Sequence, residues 1–289
     1  MPSAQRSSSQ PPSSQPPSSQ HRPNPKDTFI TVYGRKPVLE ALADPALVVD
    51  KVLLAERSRG AGVEEILAAA AARDVPVQHV SAHRVKVLAG NGRHDQGVLA
   101  DVMAQRMRPL ATALAHGLAR RPAGVLVLDR ITNPANVGMI LRTATAAGMH
   151  GIVLPRRGVP GIDPLVIKAS AGVAFHAPVL RADTSEHACQ TLAAAGFAVL
   201  GLSGSVPEAL PLYEHTAPER VAYVLGNETS GVSEQVRREL TGWVSIPMAG
   251  GVESLNVASA TAVVCFEWAR QQAQLRASRL RPGKRPYRS

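Results

Sequence analysis

Apolar residues along this chain fall in short runs, alternating with stretches that repeat at helical spacing. Residues 29–34 are an apolar, β-branched run that Gly34 interrupts, and order is expected to begin near Thr28. A short helix over 37–43, a strand from Val49 to Leu54 and an alanine-rich helix from Val63 to Arg73 follow. Val75 to Val80 reads as a strand, His83 to Ala89 as a short helix and Val98 to Met103 as a strand, which together predict a small α/β module. Arg106 to Pro122 is basic and mostly helical in composition, and reads as a linker. Beyond it, the strands Val125–Leu128, Gly151–Leu154, Pro178–Leu180, Ala198–Leu202, Val221–Leu225 and Trp243–Ile246 alternate with helices around 137–147, 164–169, 186–195 and 233–240. A long helix from about Leu255 to Gln274 closes the series. Short apolar strands separated by helices specify a parallel sheet covered on both faces, and ligands in such sheets bind beyond the carboxyl ends of the strands.

Three polar clusters stand at such strand ends, after Leu128, Leu225 and Ile246. The first runs from Asp129 to Arg142; Asn136 reads as a helix N-cap, with Arg142 about two turns further on and able to reach back toward the strand ends. A capped helix with a surface arginine accounts for that cluster as well as a functional role does. The second, Gly226-Asn227-Glu228-Thr229-Ser230-Gly231, follows its strand directly. Gly226 permits close backbone approach there, and Glu228 and Ser230 are polar groups at a turn. It is neither a Walker A loop nor G-x-G-x-x-G, and its Asn-Glu-Thr glycosylation sequon is discounted because nothing points to secretion. In the third, a loop from Ala249 to Glu253 leads to Ser254 and Asn256, which open a helix whose continuation, Val257 to Val264, is small and apolar. A serine cap accounts for Ser254 but not for Asn256, which lowers helix propensity at that position.

Composition narrows the classes. The chain of 289 residues is 45% hydrophobic, as suits a globular protein, and only 3% aromatic, which argues against extensive base stacking on aromatic platforms. Cys189 and Cys265 cannot form a disulfide framework or a cysteine-based zinc site, so no metal is expected and a reducing cytoplasm is the default. No run of 18 apolar residues predicts a membrane span, and the N-terminus lacks a secretory apolar region. The net charge of +10 suggests a polyanion partner. The excess sits in two tails. Residues 1–26 hold three cations and residues 276–289 hold six, with no acid in either, which leaves 23 of the 32 cations against 22 acids between them. Such tails add affinity for RNA phosphates without reading sequence, or simply aid solubility.

The three clusters, in order, type and spacing, resemble the SpoU (TrmH-like) family of RNA ribose 2′-O-methyltransferases across about residues 125–272. Tyr33 to Leu42 and His94-Asp95-Gln96-Gly97-Val98 are similar to that family's RNA substrate-binding domain, in the two-domain form of the RlmB type, which methylates a guanosine ribose of 23S ribosomal RNA.

The resemblance implies an α/β SPOUT parallel sheet with a C-terminal trefoil knot, preceded by a small α/β RNA substrate-binding domain. The divisions are a disordered extension over 1–27, an RNA-binding domain over 28–105, a linker over 106–122, a methyltransferase domain over 123–275 and a basic tail over 276–289. It further implies a homodimer, with the small-residue face of the last helix as its surface, and S-adenosyl-L-methionine as cofactor. Carried over by position, Gly226, Ile246 and Leu255 contact the cofactor, and Asn136, Arg142, Glu228, Ser254 and Asn256 form the catalytic set. Arg142 is assigned to the reacting hydroxyl and its phosphate. A guanidinium holds its proton too tightly to act as a simple base, so a phosphate oxygen or an aligned water is the expected acceptor. Arg35, Lys36, Arg84, Lys86, Arg93 and His94 are the candidate RNA contacts, although each is equally well an ordinary surface charge. The alternatives are a tRNA substrate, antibiotic resistance by rRNA methylation, a non-catalytic RNA-binding assembly factor, and a Rossmann-type methyltransferase. The segment after Leu128 lacks the glycine fingerprint of the last.

Overall fold

Buried side chains alternate strictly along the central strands, and that alternation builds the layers. In a computed structural model, described over residues 27–90, 95–120 and 122–280, two sheets follow one another along the chain. The first contains β1 (Phe29–Tyr33), α1 (Arg35–Ala43), β2 (Val49–Ala55), α2 (Ala61–Ala71), β3 (Val77–Val80), α3 (Ala82–Ala89) and β4 (Val98–Met103). Its order is β1-β4-β2-β3, with β4 antiparallel to both neighbours and β2 parallel to β3. Ile30, Val32, Val52, Leu54, Val98 and Ala100 face α1 and α2, while Leu53, Ala55 and Leu99 face Val85 of α3.

The second sheet has eight strands in the order β10-β12-β9-β11-β6-β7-β8-β5, and every pairing is parallel. In chain order its elements are β5 (Arg108–Pro109), α4 (Leu110–Ala115), β6 (Ala123–Leu128), α5 (Pro134–Ala146), β7 (Gly151–Pro155), α6 (Pro164–Ala169), β8 (Val179–Ala182) and α7 (Ser185–Ala194). Then come β9 (Ala198–Leu202), β10 (Leu210–Pro211), β11 (Arg220–Leu225), α8 (Glu234–Arg237), β12 (Gly242–Ser245) and α9 (Val257–Leu280). Leu126 and Leu128 of β6, and Val221, Tyr223 and Leu225 of β11, point to the face covered by α5 and α9. Val125 and Val127, with Ala222 and Val224, point to the face covered by α4, α7 and α8. A strand buried on both faces reads as a continuous apolar run, which is why these strands were predictable.

Several expectations shift. The stretch 106–122 holds α4 as a helical reading requires, but also β5, which joins the second sheet beside β8. The edge strands β5 and β10 were not expected; each is two residues long and ends in proline, which removes a donor and blunts the sheet edge. The final helix begins at Val257 rather than Leu255 and runs on to Leu280. Of the extension expected over 1–27, residues 1–26 lie outside the described residues, whereas Asp27 is buried and paired with Arg156; of the tail expected over 276–289, residues 276–280 continue α9 and the rest lie outside the described residues. No helix among the described residues is long and apolar enough to cross a membrane.

The chain runs from β6 outward through β7 and β8, then returns to the far side of β11 as β9. The order in which strands are added therefore reverses at the β6/β11 pair, and the crevice at such a switch point is where open α/β sheets bind ligands. Helix α5 is held over that point by close packing on α6. A Cβ on Gly138 would stand 2.6 Å from both Ala169 Cβ and Val166 O. Gly138→Ala should therefore force the two helices apart and lower stability by about 1–3 kcal/mol. Urea unfolding checks this: an unchanged midpoint and slope would show that the contact is slack.

Candidate active site

Each segment that ends at the switch point is pinned by a different polar group. Asp129, the residue after β6, is 1% exposed. Its Oδ1 accepts from Ser185 Oγ at 2.7 Å and its Oδ2 from the Ser233 backbone N–H at 2.6 Å. One buried carboxylate thus ties the starts of α7 and α8 to the end of β6, which satisfies a charge that would otherwise be costly to bury.

Helix α5 starts three residues earlier than expected. Asn133 is its N-cap, accepting from Ala135 N at 2.9 Å, and Pro134 stands in the first turn, where its missing N–H is harmless. This corrects the reading of Asn136 as the cap. Asn136 lies inside the helix, 4% exposed, and is free to work through its side chain. Its Nδ2 donates to Glu228 Oε1 in a short hydrogen bond, and its Oδ1 accepts from Asn256 Nδ2 at 3.1 Å. Asn256 in turn accepts from Ala258 N at 2.8 Å and so caps α9, which accounts for an asparagine that helix propensity alone disfavours. One line of amides and a carboxylate therefore joins the three sequence clusters.

Between them, the turn after β11 is a small closed loop. Asn227 and Gly231 exchange backbone hydrogen bonds at 3.0 and 2.9 Å, and Asn227 Oδ1 accepts from Thr229 N and Ser230 N at 3.0 and 3.1 Å. Gly226 lies against this loop: a Cβ there would fall 2.4 Å from Gly231 C and Val232 N. No side chain fits.

A cleft of about 290 Å³ opens beside the loop at the ends of β9, β11 and β12. Gly226, Glu228, Ile246, Ser254 and Leu255 all line it, together with Leu202, Ser203 and Glu253. Five of the eight residues expected in the catalytic and cofactor sets thus share one wall system, and Asn136 and Asn256 adjoin it through Glu228. Arg142 is the exception. It is exposed and makes no hydrogen bond or ion pair among the described residues. Six residues along α5 turn it about 120° away from Asn136 around the helix axis.

Of the expected RNA contacts, Lys36 is exposed and pairs with Glu40 at 3.9 Å, and Arg84 and Lys86 are exposed on α3. Arg35 is half-buried and donates to the Arg59 carbonyl at 3.3 Å, so much of its side chain serves the fold. Arg93 and His94 lie outside the described residues. Both cysteines are buried and free, and burial pushes each thiol up to about 12, which makes them poor nucleophiles. Sequence reasoning assigned no role to Asp129 or Asn227. A carboxylate directly after an all-apolar strand was the available signal for the first; the second stood in the polar cluster after Leu225 without a role of its own.

A parallel α/β sheet with a half-apolar cleft at its switch point defines a ligand-binding enzyme scaffold, and comparison with known proteins says which. Residues 123–266 match the SpoU rRNA Methylase family, and residues 31–107 match the RNA 2′-O ribose methyltransferase substrate-binding family. An uncharacterized tRNA/rRNA methyltransferase of Mycolicibacterium vanbaalenii is 34% identical over 88% of this chain and 80% of its own length. The 23S rRNA (guanosine-2′-O-)-methyltransferase RlmB of Ralstonia nicotianae is 32% identical over 83% of this chain and 95% of its own length. Among solved structures, the AdoMet-bound rRNA methyltransferase of Sinorhizobium meliloti superposes with a TM-score of 0.57 at 26% identity, covering 85% of this chain and 88% of that one. This chain belongs to the SpoU family of RNA methyltransferases.

The geometry makes a sharp demand on Gly226. Gly226→Ala should displace the 226–232 loop and abolish ligand binding in the cleft while the rest of the fold persists. Calorimetric titration with S-adenosylmethionine, beside a circular dichroism melt, reads both quantities; intact binding would mean that the loop tolerates the methyl group.

Proposed function

We propose that this protein transfers a methyl group from S-adenosyl-L-methionine to a ribose 2′-hydroxyl of RNA, with a guanosine of 23S ribosomal RNA as substrate. The observation that carries this reading is the Asn136–Glu228–Asn256 chain set at the rim of a half-apolar cleft, in a chain that belongs to the SpoU family. Two features support the choice of RNA. The matched substrate-binding module precedes the catalytic sheet, and the Ralstonia relative, matched over 95% of its own length, is named for a 23S guanosine. A division into an RNA-binding part over 28–105 and a catalytic part over 123–275 follows, with the basic tails adding non-specific affinity.

The cleft suits the cofactor. Leu202, Ile246 and Leu255 offer an apolar slot for a flat base, exposed backbone beside Gly226 offers donors and acceptors, and Glu228 and Glu253 provide negative charge for a cationic ligand. Its volume lies at the small end of the usual range for ligand sites, about 300–1,000 Å³. When bound, the cofactor supplies an activated methyl on a positively charged sulfur.

The protein's own residues then position and polarise. Asn136 holds Glu228 in place and orients Asn256, so the rim enters the reaction already organised. Ser254, which lines the cleft and has no hydrogen-bond partner among the described residues, is available to the ribose. Arg142 aligns the phosphate or water that receives the hydroxyl proton. It lies on the exposed side of α5 together with Met139, 39% exposed, and Phe266 on α9 is 54% exposed. A second copy covering these apolar residues would also fix Arg142, and a homodimer is part of this proposal. So are the trefoil-knotted C-terminal segment and a cytoplasmic location.

Arg142→Ala should lower methyl transfer on the order of a hundredfold or more while S-adenosylmethionine binding persists. Near-wild-type rates in that variant would remove Arg142 from the mechanism. Phe266→Asp should convert a dimer to a monomer in light scattering after gel filtration; a wild-type chain that already runs as a monomer contradicts the dimer. Mapping 2′-O-methyl groups in rRNA and tRNA from cells with and without the gene tests the substrate. A lost tRNA methyl with rRNA unchanged would move the assignment to tRNA.

A further inference from the structure

Arg130, directly after the buried Asp129, has φ +54°, a left-handed conformation that residues with a Cβ adopt at an energetic cost. Its surroundings hold it there. The Arg130 carbonyl accepts from Asn227 Nδ2 at 3.1 Å, and its guanidinium Nη2 donates to Ser230 Oγ at 3.4 Å. Its stem lies against the loop after β7, where a Cβ on Gly158 would be 3.6 Å from Arg130 Cγ. One arginine is thus strapped between the turn that lines the cleft and the next loop along the sheet edge.

Charge at this rim is unevenly satisfied. Arg156 is engaged by Asp27 and, at 3.4 Å, by Asp183. Arg157, the next residue, is exposed and has no hydrogen bond or ion pair among the described residues. Arg130 is exposed and has no carboxylate partner; its neighbour Asp129 is buried and spent on Ser185 and Ser233. A single long contact to a serine hydroxyl leaves most of the guanidinium's five donors free.

We propose that Arg130 and Arg157 form a phosphate subsite that seats the RNA backbone beside the nucleotide to be methylated. The proposal rests on the methyltransferase reading and adds to it a place for the backbone. The guanidinium fork matches phosphate oxygens, and contacts of this kind set register and orientation without reading bases. The strained backbone gives the idea its force. Glycine would relax at position 130, whereas arginine, held by three separate contacts, fixes a cation beside the turn that lines the cleft.

The strain also makes the test clean. Arg130→Gly removes the cation and relieves the backbone, so thermal stability should not fall. On the full-length protein, anisotropy titrations with a 23S rRNA fragment across a salt series should show Kd raised about three- to tenfold and the slope of log K against log salt reduced by about one. Arg157→Ala should do the same, and the double variant should reduce the slope by about two. Arg130→Lys should restore most of the slope. In methylation assays the loss should fall mainly on the KM for RNA, with S-adenosylmethionine affinity unchanged. Unaltered Kd and salt slope in both single variants would overturn the subsite, as would weaker binding at an unchanged slope, which signals a structural role instead. Binding that depends on both arginines in a protein that methylates neither rRNA nor tRNA would uphold the subsite and sink the methyltransferase reading.

Discussion

One side-chain amide holds the edge of the cleft together. Asn136 donates to Glu228, 92 residues away, and accepts from Asn256, 120 residues away. An asparagine amide does both with one side chain; an ionised aspartate would only accept, and an aliphatic residue would strand both partners. Because Asn136 is buried, leaving either end unpaired would carry the full desolvation penalty, on the order of 1–3 kcal/mol. The native arrangement of α5, the 226–231 turn and the start of α9 is therefore strongly preferred over any arrangement in which one of them drifts. A site that must hold two reactants in line needs that rigidity before they arrive.

Asp129 extends the same logic inward. It sits one layer below the amide chain and fixes the loops after β8 and β11 to the end of β6. Above it, the wall of the cleft is made without side-chain chemistry: Gly226 brings backbone against backbone, and Leu202, Ile246 and Leu255 supply apolar surface. Polar precision and apolar shape are thus separated. The first is set by a few buried hydrogen bonds, and the second by strand ends that the sheet already holds in register.

How much of this was readable in the sequence follows from where each signal resides. The central strands were legible because both faces are buried, so they appear as apolar runs bounded by turns. The two-residue edge strands β5 and β10 were not, since only tertiary pairing defines a strand so short. The clusters were legible as a set but not in their internal geometry. Asn133 and Asn136 are both plausible caps; Pro134, favoured at the first helical position, was the deciding residue and was passed over. Asn256 looked out of place in a helix because the helix was begun two residues early, at Leu255. Arg142 was expected to reach back to the strand ends, yet helix periodicity alone turns it well away from Asn136. Arg35 looked like a ligand-facing cation because its contact with the Arg59 carbonyl crosses between elements.

The arginines sort the remaining question. Those that hold the fold are engaged: Arg73 donates to four carbonyls at the end of α1 and in the α1–β2 connection, and Arg156 bridges two carboxylates. Arg181 donates to the Leu154 carbonyl, and burial together with Arg156 pulls its guanidinium down to about 10, still cationic at neutral pH. Those near the cleft that hold nothing, Arg130 apart from its serine contact, Arg142 and Arg157, sit exposed on the carboxyl edge of the sheet or on the helix above it. A folded middle with 23 cations against 22 acids would be a weak RNA binder if its charges were evenly mixed. Here Asp27 and Asp129 are buried and engaged by Arg156, Ser185 and Ser233, which leaves Arg130 and Arg157 without a carboxylate partner among the described residues. Local field rather than net charge governs how a polyanion approaches. A near-neutral domain can therefore present exposed arginines in one region, and the same ion pairs that stabilise the fold determine which arginines remain free.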